Sequence, residues 1–179
     1  MGIDKLNEKQ IIRGFHGPHD LLNVELLDSV SSTNDVAKQI LREHPDRLSV
    51  IATNKQTAGR GRSGKSFYSE LQYGLYFTLD FFPNDNRLES VPLYTILAAT
   101  ALVEGLEKYV EQPLAVKWVN DIFYQGKKVS GILSEMVSGT DNTEVPGIVV
   151  GIGINFAGDF TATDQAVQNV AGTLFEHEI

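Results

Sequence analysis

Three cations and three glycines fall within ten residues of the chain, Gln56-Thr57-Ala58-Gly59-Arg60-Gly61-Arg62-Ser63-Gly64-Lys65. Glycine frees the backbone to turn N–H groups toward an anion, and guanidinium groups match phosphate or carboxylate oxygens two at a time. The segment is suited to hold an anion. Its glycines satisfy the spacing GxGxxG, with Asp80 about twenty residues on from Gly59, as a dinucleotide fingerprint would have it. The context fails, because Ser66-Phe67-Tyr68-Ser69 leads into a strand rather than a helix and the arginines would crowd a pyrophosphate turn. The Walker pattern fails as well, because Gly64-Lys65-Ser66, which imitates its end, does not stand in a strand-to-helix setting. The competing reading is a solvated basic loop.

Lys117 stands inside the apolar run Ala115-Val116-Lys117-Trp118-Val119. A lysine there either guards a sheet edge or points into a cleft at a negative ligand, and spacing alone leaves both open. Asn120-Asp121 fits a nucleotide or Mg²⁺ contact, and equally a strand-end turn. Ser32, Thr33 and Asn34 suit a helix cap, or a set of hydroxyl and amide groups aimed at a small polar headgroup.

Composition narrows the chemistry. The 179 residues suit one domain with a substantial core. Without cysteine, thiolate nucleophiles, disulfides and zinc-finger sets are excluded, and an intracellular setting is favoured. His16, His19, His44 and His177 lack metal-ligand spacing, so no metal site is expected. Fifteen Lys and Arg against 23 Asp and Glu give a net charge of −8, which argues against nucleic acid as a partner. No apolar run reaches the roughly 18 residues of a membrane span, and the charged amino terminus does not read as a signal peptide. A soluble, cytoplasmic protein is the expectation.

These candidates need elements to position them. Residues 1–20 read as a lead-in, too short for a complete DNA-binding module, and 21–179 as one domain. Ser32 and Asp35 resemble a capping box before a helix starting near Thr33. Leu48 to Thr53 reads as a strand. Tyr73 to Phe81 alternates as a half-buried strand, with Leu75, Phe77, Leu79 and Phe81 inward. A helix from Pro92, ending before Pro113, carries Leu93, Ile96, Leu97, Ala101 and Leu106 toward the core. Leu114–Phe123 and Lys127–Val137 form a hairpin about Gln125-Gly126, which pairs Trp118 with Leu133, Lys117 with Ser134 and Asn120 with Gly131. Gly147–Phe156 is a last strand, where Gly151 and Gly153 signal a close approach. A short helix follows near Ala166 to Phe175. The fold class is α+β (or α/β), with a mixed, largely antiparallel sheet flanked by helices.

Taken together, SSTND, KQTAGRGRSGKSF, VKWVNDIFYQGKKVSGILSEM and VVGIGINF, in that order, resemble the catalytic domain of a biotin protein ligase, from about Asp28 to Phe156. That resemblance implies a fold like that of class II aminoacyl-tRNA synthetases. It also implies ATP-dependent formation of biotinyl-5′-adenylate, with Mg²⁺, and transfer to a lysine of a biotin carboxyl carrier protein, with a homodimer as a possible state. It assigns Ser32, Thr33, Asn34, Gln56, Gly59, Arg60, Gly61, Lys117 and Gly131 to biotin. Arg60, Arg62, Phe67, Asn120 and Asn155 go to the nucleotide, and Lys117 and Arg62 to catalysis. In that likeness the arginine loop closes over the ligand, ordered by its anions, and Gly59 permits the loop's turn. Lys65, Phe67 and Val119 stand where the family usually has arginine, tryptophan and proline. On that resemblance, the family's winged helix and small carboxy-terminal β-domain are expected to be absent. A biotin-binding module with impaired turnover, or a lipoate or octanoate transferase, are the alternatives.

Overall fold

The computed structural model describes residues 7–69, 71, 73–83, 91–138 and 146–175. Its centre is a seven-stranded sheet in the order β1-β2-β3-β7-β6-β5-β4. The strands are β1 (Leu22–Leu27), β2 (Leu48–Thr53), β3 (Tyr73–Phe81), β4 (Ala115–Lys117), β5 (Asp121–Tyr124), β6 (Lys127–Val137) and β7 (Gly147–Ala157). Only β1 and β2 run parallel; every other pairing is antiparallel. The helices are α1 (Glu8–Gly14), α2 (Thr33–Glu43), α3 (Val91–Leu106) and α4 (Gln165–Val170). The mixed α+β class is as the sequence predicts, and α1, inside the lead-in, packs against β1. Among the described residues no helix is long and apolar enough to cross a membrane.

The sheet is covered on both faces, which changes the reading of two elements. Along β3 the buried residues are Tyr76, Thr78 and Asp80, each 0% exposed, because α2 lies over them, while Leu75, Phe77 and Phe81 pack toward α3. A two-residue period identifies the two faces but not which is drier. On α3 the inward residues are Val91, Tyr94, Thr95, Ala98, Ala99, Leu102, Val103 and Leu106. Leu93 and Leu97 point outward, 57% and 63% exposed. The helix is apolar all round, so composition could not say which stripe meets the sheet.

The hairpin is also reshaped. Gln125 and Gly126 both have positive φ, 49° and 78°, the two-residue turn expected. Phe123 pairs with Lys128 and Tyr124 with Lys127, but a bulge shifts the register so that Asp121 meets Gly131. Leu114–Phe123 is not one strand. It folds back at Trp118–Asn120, so Lys117 pairs with Asp121 rather than Ser134 and Trp118 does not pair with Leu133 but stands 79% exposed. The Trp118–Val119 peptide is cis. Asn120 faces Ile132, not Gly131: its carbonyl accepts from the Ile132 N–H at 2.8 Å, and its Nδ2 donates to the Ile132 carbonyl at 3.2 Å. That double anchor ends the turn and starts β5.

Candidate active site

The amino terminus of α2 is capped from outside its own sequence. Ser32 makes no side-chain capping bond, so the expected box with Asp35 does not form. Instead the Thr33 N–H and hydroxyl both donate to Gln56 Oε1, at 2.8 and 3.1 Å. Gln56 Nε2 donates to Ser69 Oγ, and Ser69 donates to the Phe67 carbonyl. On the other side, Thr78 Oγ1 lies 2.8 Å from Thr33 Oγ1 and 2.7 Å from Asn34 Oδ1. Asn34 Nδ2 reaches Glu135 Oε2 at 2.7 Å and the Leu133 carbonyl at 3.3 Å. Six polar side chains from α2, β3, β6 and the loop segments thus fix one another. Ser32 is free to present its hydroxyl to the cavity it lines.

The floor of that cavity is made by absent side chains. Odd-numbered residues of β7 face α2, and two of them are Gly151 and Gly153. A Cβ on Gly151 would run into the Asn34 amide, and one on Gly153 would stand 2.6 Å from the Phe67 ring. Gly131, paired with Gly153, meets the same ring at 2.9 Å. The close approach signalled by these glycines is therefore made by Asn34 and Phe67.

Cations form the rim. The loop after β2 is a tight turn: the Gly61 N–H donates to the Lys65 carbonyl at 2.7 Å, and the Phe67 N–H donates to the Gly59 carbonyl at 2.9 Å. Its left-handed residues are Ser63 and Gly64, φ 57° and 75°, so Gly59 does not supply the turn. Gly59 instead leaves room for Ser69 Oγ and the Phe67 carbonyl. Arg60 is bidentate to Asp35, which with the charge of Glu135 pushes its pKa up. Arg62 approaches Asn120 Oδ1 at 3.4 Å. Lys117 lies on the edge strand β4, with Nζ 5.4 Å from the centroid of the Phe123 ring. It is an edge lysine and a cavity lysine at once, so the two readings are compatible.

Arg60, Arg62 and Lys117 line one cavity of about 550 Å³ together with Ser32, Thr33, Asn34, Gln56, Gly61, Phe67, Asn120 and Gly131. Of the residues singled out from sequence, only Gly59 and Asn155 lie outside the lining. Asn155 is 3% exposed, and its Nδ2 donates to the Lys128 and Gly172 carbonyls. Its Oδ1 is buried without a hydrogen-bond partner among the described residues. Lys128, Ser69 and Thr78 are further parts of the site. Lys128 lines the cavity, pairs with Asp121 at 2.7 Å and lies 5.6 Å from the Phe67 ring centroid. A second lysine at the mouth of the predicted hairpin was the signal for it; nothing in the pattern distinguished Thr78 from a solvent-facing threonine.

The description "Biotin/lipoate A/B protein ligase family" belongs to a family model that matches residues 26–155. The bifunctional ligase/repressor BirA of Bacillus subtilis strain 168 is 36% identical over 155 residues, covering 84% of this chain and 46% of that protein. A solved structure of the Aquifex aeolicus biotin protein ligase with biotin and ATP superposes with a TM-score of 0.64 at 32% identity, over 85% of this chain and 59% of that one. The Leishmania major biotin protein ligase with biotinyl-5-AMP gives 0.62 at 27% identity, over 85% and 63%. The chain spans about half the length of the curated relatives it matches. With most of the described sheet and all the cations that rim the cavity inside the matched region, the chain belongs to the biotin/lipoate A/B protein ligase family.

Proposed function

We propose that this chain activates biotin with ATP and transfers it to a lysine of a biotin carboxyl carrier protein. The observation that carries the reading is that Arg60, Arg62 and Lys117 line the same cavity as Ser32, Thr33 and Asn34. Because Thr33 gives its hydroxyl proton to Gln56, its oxygen is an acceptor toward the cavity; Asn34 Oδ1 is a second acceptor, and Ser32 supplies a donor. A cyclic urea offers the complement, one carbonyl between two N–H groups. Lipoate or octanoate has no such ring and would leave those groups unpaired, which disfavours the acyl-chain alternative.

In the reaction two anions must meet. A biotin carboxylate oxygen attacks the α-phosphorus of ATP, the bond to the β-phosphate oxygen breaks, and pyrophosphate leaves. Fixed cations offset both the initial repulsion and the charge that develops on the leaving group. Lys117, Lys128, Arg60 and Arg62 are placed for this. ATP enters as its Mg²⁺ complex, and Asn120 and Asp121 are the lining residues that fit the ion's preference for oxygen ligands. The carrier lysine then attacks the acyl carbon with its lone pair, the bond to AMP breaks, and the ammonium proton is lost to solvent. No side-chain nucleophile is needed. For Phe67 we assign contact with adenine. Asn155, through its unpaired Oδ1, is assigned to the adenine amino group, which requires the segment at Gly172 to shift.

The test is incubation with ATP, Mg²⁺, labelled biotin and a carrier domain, scoring adenylate and biotinyl-lysine separately. Both products are expected. Adenylate without transfer would turn the reading into that of an activating module, and neither product would overturn it. A cytoplasmic location and association of two chains through the exposed strand β4 belong to the same reading, and fractionation and sedimentation test them.

A further inference from the structure

Most groups at the headgroup end of the cavity can point a proton either way, and one residue behind them cannot. The Thr78 hydroxyl has a single proton and two acceptors in reach, Asn34 Oδ1 at 2.7 Å and Thr33 Oγ1 at 2.8 Å. Which of them receives it depends on how the Asn34 amide is turned. Asn34 Nδ2 reaches Glu135 Oε2 at 2.7 Å and the Leu133 carbonyl at 3.3 Å, and an ionised carboxylate and a carbonyl only accept. Burial pushes the Glu135 carboxyl up, but the hydrogen bonds from Lys38 and Asn34 and the charges of Lys38 and Arg60 outweigh it and hold it below its ordinary value, so Glu135 is ionised. We propose that Glu135, held by Lys38, is a positioning residue: it turns Asn34 so that Thr33 faces the cavity as a hydrogen-bond acceptor, and so selects a headgroup that donates an N–H there.

With its NH2 group committed to the carboxylate, Asn34 presents Oδ1 to Thr78 and takes the Thr78 proton. Thr33 Oγ1 then receives no proton from behind, while its own goes to Gln56 Oε1 at 3.1 Å. An amide turned the other way would donate to Thr78, send the Thr78 proton to Thr33, and occupy the oxygen that a ligand N–H needs. Thr33, Asn34 and Thr78 are at most 4% exposed, so water cannot stand in for a wrongly turned partner. Lys38 fixes the far end: its Nζ bonds Glu135 Oε1 at 2.7 Å, so each carboxylate oxygen has its own donor. Neither Lys38 nor Glu135 lines the 550 Å³ cavity, so each acts on it through other residues. Glu135 Oε2 also stands 3.8 Å from Arg60 Nη2, and the test must tell that charge contact from the turning of Asn34.

The inference rests on the biotin reading, and calorimetry with biotin separates the two. In Glu135→Gln the Lys38 ammonium, a donor only, claims the one amide oxygen, so the glutamine NH2 group is left facing Asn34 and turns it over. Biotin affinity should fall about tenfold, as for one hydrogen bond lost. Adding Lys38→Met releases the glutamine oxygen to Asn34, and the double variant should recover to within about threefold of wild type although the charge beside Arg60 is still gone. An unchanged affinity in Glu135→Gln, or a double variant as weak as the single one, would overturn the inference and leave the biotin reading in place. A wild type that binds no biotin would overturn both. If Glu135→Gln does not fold, NMR of the wild type decides. One Asn34 side-chain amide proton, bonded to a carboxylate, should resonate downfield of those of exposed Asn169, and coincident shifts would overturn the assignment.

Discussion

One strand serves two masters in this molecule. On the α3 side, β7 presents Ile148, Val150, Ile152 and Ile154, all at most 6% exposed, to a continuous apolar cluster with Ala99, Leu114, Ile122 and Ile132. On the α2 side the same strand presents Val149 to a small cluster with Ala37, Leu41 and Ile51, and then Gly151 and Gly153, where side chains stop and the polar cavity begins. The first face spends its area on burial; the second gives up contact area for space and hydrogen bonds. Substitutions on the two faces should therefore fail in different assays.

The largest expected effect is on the apolar face. Ile148→Ala removes a 3% exposed side chain far from the cavity lining and should cost about 2–5 kcal/mol of unfolding free energy, read by urea titration. Biotin affinity of the folded fraction should be unchanged; a parallel loss of affinity would show that the faces are not independent. Next comes the cation rim. Lys117→Ala should raise the adenylation barrier by about 2–4 kcal/mol, as for one lost transition-state contact, with little change in melting because the residue is exposed. A pyrophosphate-exchange rate equal to wild type would remove Lys117 from the mechanism. Between the faces stands Gly151→Ala. Its methyl group must displace the Asn34 amide, so we expect a stability cost of about 1–3 kcal/mol together with weaker biotin binding by calorimetry. A destabilised variant that binds biotin normally would break the link between floor and headgroup site.

The same contrast explains what could be read from the chain. Signals that lie within one segment were legible: the bounds of β2, β3 and β6, the start of α2 at Thr33, the Gln125-Gly126 turn, and a loop rich in arginine and glycine. What depended on a partner from elsewhere was not. The cap of α2 comes from Gln56, 23 residues away, so Ser32 and Asp35 gave the wrong capping pair. Thr78 looked solvent-facing because alternation carries no information about a helix laid over the polar side. The break at Trp118–Asn120 is fixed by hydrogen bonds to Ile132, which no local propensity encodes. The likeness of separated motifs brought Arg60, Arg62 and Lys117 to one site; the cavity then added Lys128.

The smallest expected effect tests the α2 face beyond the cavity, at Asp80. Asp80 is 0% exposed; Oδ1 accepts from the Ser49 N–H at 2.8 Å, and Oδ2 has no hydrogen-bond partner among the described residues. Burial pushes its pKa up to about 6, only partly opposed by the Ser49 hydrogen bonds. With a folded pKa above the unfolded one, the native state binds the extra proton. The stability tied to that proton is complete below about pH 4 and is lost as the pH rises through about 6. Asp80→Asn keeps the acceptor for Ser49 and removes the charge, so it should stabilise the protein at neutral pH. A folded pKa of about 6 bounds the gain at about 3 kcal/mol, and the part that appears between pH 5 and pH 8 is about 1 kcal/mol. Urea titrations of both proteins at those two pH values measure it. A difference that stays constant across the range would mean that Asp80 is ionised throughout, and that its carboxylate is paired rather than stranded under α2.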